Sequence, residues 1–269
     1  MKVDKTLLYV FIFFVGYGII QFIPTGGLSI PIPVPFGEAP PNYGIGWFNL
    51  SLSTFLDIVL APPFMLIMFY FIHKAITEQT SLTNSKSSER KRELINHVLI
   101  WSGVVLIAGI IMHAVANWIN GILGNPLPPG TPLEIAVYWF DEVLGHKLIH
   151  FAITGFLIGC MVLQYWHQRD PELSQIEVIG FYFWASIIGV IYTLAAAEGQ
   201  AAFDLLIICS IVVIIILYYI KFKGLKLKEN ILTHFVLIFF SAIIITAIVY
   251  GSISGWLPGY PFIKQPPFT

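Results

Sequence analysis

Residues 138 to 150 carry five ionisable side chains, Asp141, Glu142, His146, Lys147 and His150, and lead straight into an apolar run that ends near Tyr165. A charged side chain at the centre of a bilayer costs about 2.5–3.5 kcal/mol or more, so such residues are rare and mark sites or conducting paths. On an α-helix, Glu142, His146 and His150 stand at i, i+4 and i+8. Each step turns only about 40° around the axis, so the three share a face. Asp141 falls about 180° from His150 and is expected to face away, as an acid placed at a helix entry by the macrodipole. Lys147 is expected to snorkel outward or to pair with an acid. His-x3-His, with about 6 Å of rise, lets two imidazoles hold one metal ion.

Counting along the other apolar runs at about 1.5 Å per residue brings further polar groups to the same depth. Asp57, His113 with Asn117 one turn further on, Glu198 and Asp204 all fall in this outer layer. His113, His146 and His150 are therefore the expected metal ligands, with zinc favoured and iron, copper or manganese compatible with the same donors. Glu142 and Glu198 are the candidates for general base, and Asn117 for a hydrogen-bond donor to a polarised oxygen. Asp57, Asp204 and Gln200 are placed behind them, in a supporting or proton-path role. The reaction expected of this set is hydrolysis of a lipid or other amphipathic substrate at the outer leaflet. A proton- or cation-coupled transporter or channel would use the same residues, and a non-catalytic subunit would instead dock membrane-complex partners through the outer loop and the tail. His73, His97, His167 and His234 fall near the opposite interface and are expected to be structural. A bis-histidine haem pair fails on phase, because His97 and His113, and likewise His150 and His167, do not face one neighbour.

The elements that must position these groups are membrane helices. The chain is 57% hydrophobic and 11% charged, where a soluble domain carries about 25% charge. The fold class is therefore all-α: a polytopic integral membrane protein, a bundle of seven transmembrane helices. Seven apolar runs of spanning length can be drawn, at 5–24, 52–73, 96–119, 138–165, 176–197, 201–220 and 231–251. The first, preceded by Lys2 and Lys5, is read as a signal anchor. Of fourteen Lys and Arg, all but Lys147 and Lys264 fall on one side if the N-terminus is cytoplasmic. The positive-inside rule thus places the N-terminus inside and the C-terminus outside, in a multi-pass protein of the cell membrane. A Pro/Gly-rich loop at 25–50 lies outside, and the polar 76–93 segment is a solvated cytoplasmic linker. Pro62-Pro63 is expected to kink the second span. The small residues from Ala195 to Asp204 are expected to form a tight hairpin that lets backbones approach. The tail from Trp256 to Thr269 is aromatic and proline-rich, suited to interface anchoring or docking. A net charge of −1 gives no basic surface for nucleic acid, and Cys160 and Cys209 sit within apolar runs as packing residues.

Overall fold

A computed structural model describes residues 4–22, 29–33, 47–78, 86–122, 131–166, 175–227 and 230–254. Six helical stretches are long and apolar enough to cross a membrane: Leu56–Thr77, Glu89–Ile119, Pro132–Trp166, Val178–Ala197, Ala202–Lys223 and Ile231–Ile253. Large apolar side chains on their outer faces, such as Ile253 at 81% and Phe183 at 70% exposure, are left uncovered by the described residues. Lipid is the solvent that suits such surfaces, and the chain reads as a multi-pass membrane protein.

Helix α1 (Lys5–Phe22) is shorter, at 18 residues, and apolar. Asp4 starts it by accepting from the N–H groups of Thr6 and Leu7 at 2.8 and 3.1 Å, as an N-cap acid does. Strands β1 (Ser29–Pro33) and β2 (Trp47–Ser51) then pair antiparallel, largely within the Pro/Gly-rich segment expected to be an outer loop. The second membrane stretch begins as α2 (Leu52–Phe55), widens into a π-helical segment π1 (Leu56–Leu60), and continues as α3 (Ala61–Thr77). Pro62 and Pro63 stand in the first turn after π1, inside this continuous helical stretch. There a missing N–H is tolerated, and the carbonyls one turn back lose their ladder donors.

Helix α4 (Lys86–Ile122) starts ten residues before the apolar run, so 86–93 of the expected linker is helical. Helix α5 (Pro132–Tyr138) opens on Thr131, whose hydroxyl accepts from Glu134 N at 3.3 Å, with Pro132 in the first turn. It runs through a second π segment, π2 (Trp139–Gly145), into α6 (His146–Trp166). Helices α7 (Gln175–Glu198) and α8 (Ala202–Lys223) are joined by a three-residue turn, and α9 (Ile231–Ser254) completes the described helices. Gly224 ends α8 in the left-handed conformation at φ 67°, where a residue without Cβ is unstrained.

Helix α4 packs along α6, α9 along α7, α8 and α6, and α1 along α3. The centre is aromatic: Phe14, Phe235 and Phe239 interlock with Trp184 and Tyr192 at ring separations of 5.3 to 6.4 Å. Met65, Ile72, Leu106, Ile153 and Leu157 fill the space between α3, α4 and α6. Below the level of His150, the described interior is mostly apolar packing, with Phe69 stacked on Phe156 and Ser102, Thr154 and Gln164 among the buried polar side chains.

Candidate functional site

The ionisable residues of π2 and α6 meet α4 at one end of the bundle. Close approach of the two helices comes first: a Cβ on Gly145 would lie 3.0 Å from Cβ of His113 and 2.9 Å from the Phe140 carbonyl. Only a residue without a side chain lets π2 press against His113 there. Asp141 Oδ1 then lies 2.5 Å from Nδ1 of His113, an ion pair when the ring is protonated. Asp141 is 5% exposed, and a buried carboxylate needs such a partner.

This overturns the expectation that Asp141 faces away. In an i→i+5 ladder each residue advances through a smaller angle than the 100° of an α-helix. The π turn therefore rotates Asp141 toward α4, onto the face expected for Glu142 alone. The sequence signal was present as two adjacent acids, Asp141-Glu142, ahead of the histidines. The local change of period that brings both inward was not.

The three histidines come together as a row. The His113 and His146 rings are 4.6 Å apart edge to face, and His146 and His150 are 6.2 Å apart and nearly parallel. Glu142 Oε2 is 3.9 Å from Nε2 of His146. Nδ2 of Asn117 lies 3.2 Å from Nε2 of His113, so both nitrogens of that ring have neighbours. His150 is 5% exposed and packs edge to face on Tyr192 at 4.7 Å. The Tyr192 hydroxyl donates to the His150 backbone carbonyl at 2.9 Å. Nδ1 of His150 is buried and makes no aligned hydrogen bond among the described residues, while the Ala195 backbone lies within hydrogen-bonding range of the ring.

The turn between α7 and α8 closes the cluster. A Cβ on Gly199 would collide with Cβ and the ring of His146, so the backbone itself is seated on that imidazole. Ala196, Ala197, Ala201 and Ala202 around it are fully buried, the close approach expected of small residues. Gln200 follows at φ 55°, a conformation most side chains avoid. Its amide donates to the Tyr138 hydroxyl at 2.8 Å, which ties the turn to α5. Asp204 pairs with Lys147 at 2.8 Å, both about one-third exposed, and this joins α8 to α6. Asp57 sits on π1, and its charge reaches His113 and the Tyr17 hydroxyl of α1.

Of the sequence-derived residues, the structure brings together His113, His146, His150, Glu142 and Asn117, with Asp57 close enough for its charge to act. Gln200 and Asp204 stand at the rim as partners of Tyr138 and Lys147. The side chain of Glu198 lies outside the described residues, as do His167 and the tail from Trp256. Among the described residues, no three His, Cys, Asp or Glu side chains already form a ligand shell. The rings are adjacent, but the edge-to-face contact of His113 and His146 does not aim two lone pairs at one point. His73, His97 and His234 bond locally, to Asn96, the Glu93 carbonyl and Tyr182.

The chain matches no protein-family model, no curated protein and no solved structure.

Proposed function

We propose that this chain is a metal-dependent membrane hydrolase of the cell membrane. In this reading α1 is a seventh span, the N-terminus is cytoplasmic, and the histidine row faces the outer leaflet. His113, His146 and His150 bind a divalent ion, zinc in first place. An ion held there would supply the lowered water pKa that hydrolysis of a lipid-like ester or amide needs. Glu142, beside His146, would take the proton from water and return it to the departing alcohol or amine, and Asn117 would steady the oxygen on which charge develops. Asp141 has the place of the carboxylate that a ligating histidine so often meets at its other nitrogen, fixing tautomer and ring orientation.

The observation that carries the reading is the row of three adjacent imidazoles, His113, His146 and His150, the last of them buried. Three such rings drawn together out of water call for an explanation, and an ion held for function is one. The two π-helical segments add support. Each carries intramembrane acids, Asp57 on π1 and Asp141 with Glu142 on π2, and π turns recur at functional sites. The apolar packing beneath His150 favours a site open to one side over a conduit, which needs polar groups or water along its whole length.

The test is reconstitution in liposomes with ester- and amide-linked lipids. Release of fatty acid that stops on zinc chelation and returns with zinc is expected, with ion flux at background. Flux without hydrolysis would replace this reading with a transporter.

A further inference from the structure

A second polar feature lies at the opposite end of the bundle, between the first turn of α1 and the last turn of α3. A cavity of about 350 Å³ is lined there by Lys5, Tyr9, Phe71, Lys74, Ala75 and Glu78. Tyr9 and Phe71 stack at 5.3 Å and join the two helices below it. Lys74 is held toward Glu78 at 3.4 Å and lies over the Tyr70 ring at 5.8 Å. Asp4, one residue before Lys5, turns its carboxylate to the N–H groups of its own helix. The side chains lining the cavity therefore sum to one positive charge: two ammonium groups against one carboxylate.

What continues from this cavity into the membrane points to its occupant. On α1, Lys5, Leu8, Tyr9 and Ile12 fall at i, i+3, i+4 and i+7, one helix face. On α3, Ile67, Tyr70, Phe71 and Lys74 repeat the same spacing in the opposite chain direction. Leu8, Ile12, Ile67, Tyr70 and Phe71 are all exposed. Two apolar faces thus descend side by side from a cationic, aromatic-walled mouth at the end of the helices. A headgroup with one negative charge above two acyl chains has that shape and that sequence of polarity.

We infer that the α1–α3 groove is a binding seat for a glycerophospholipid, with the phosphodiester between Lys5 and Lys74 and the acyl chains along Leu8, Ile12 and Ile67. The single charge of a phosphodiester matches the sum of the lining. This seat is independent of the histidine cluster, and its failure would leave the hydrolase reading untouched.

Native mass spectrometry of the full chain in mild detergent tests it, with phosphatidylglycerol and a phosphate-free diacylglycerol glycolipid as probes. The wild type is expected to retain one phosphatidylglycerol and to lose the glycolipid. The Lys5→Gln/Lys74→Gln variant should retain phosphatidylglycerol about ten-fold less, the loss expected when charge-assisted hydrogen bonds are removed. A Lys91→Gln/Arg92→Gln control, with the same change in net charge on α4, should behave as wild type. Equal retention by the Lys5/Lys74 variant, equal loss in the control, or equal retention of the glycolipid overturns the inference.

Discussion

The two ends of α6 use buried polar groups in different ways. At its C-terminal end Gln164 is 6% exposed, and its carbonyl accepts from Leu232 N at 2.6 Å, in the first turn of α9. One helix caps another, and that acceptor is engaged in holding the fold. At the N-terminal end, His113, Asp141, His146 and His150 crowd together from two helices. There Nδ1 of His150 makes no aligned hydrogen bond, and Glu142 stands 3.9 Å from His146. Gln164 serves folding. The crowding of titratable side chains in the histidine row is what the proposed site draws on.

Mutations at the two ends should separate these roles. The largest effect is expected from Asp141→Ala, which leaves His113 buried against an empty position. Breaking a buried ion pair costs about 3–5 kcal/mol, and the melting temperature in detergent should fall sharply. Asp141→Asn, which keeps the shape, should recover much of that stability while weakening metal retention. Gly199→Val comes next. Its side chain has nowhere to go but into His146, so overpacking of about 1–3 kcal/mol is expected, together with loss of metal.

Gln164→Ala is the contrasting case. Removing the cap of a buried N–H costs about 1–3 kcal/mol, so denaturation should be easier while metal content stays at the wild-type level. A parallel loss of metal would show that the two ends are not separate. The smallest effect is expected from Lys147→Met. Its pair with Asp204 is about one-third exposed on each side, so after solvent screening roughly 0–1 kcal/mol is at stake. Thermal melts should barely move.

Much of this was legible in the residues. Apolar runs of about 20 residues locate membrane helices because lipid leaves the backbone no other partner than itself. Depth counting brought His113, on α4, to the level of His146 and His150, because α4 and α6 run side by side at a constant rise. The small residues around Gly199 announced a close approach. Asp141 was misplaced for a definite reason: facing was computed at 100° per residue, and π2 does not turn at that rate. The π geometry depends on packing against α4 through Gly145, a tertiary contact that no local window contains. Pro62 and Pro63 follow directly on π1 within one helical stretch, so the ladder changes where they stand. Pairing of β1 with β2 joins residues some twenty positions apart, beyond the reach of periodicity.

The central claim is that the imidazoles of α4 and α6 bind a metal ion. The most direct measurement is elemental analysis of the protein purified without a histidine tag, wild type beside His146→Ala/His150→Ala. The account predicts about one zinc per wild-type chain, the number a single three-histidine site would hold. It predicts none in the variant, whose helical content should be unchanged. A wild type without stoichiometric metal, or a variant that keeps it, would contradict the account.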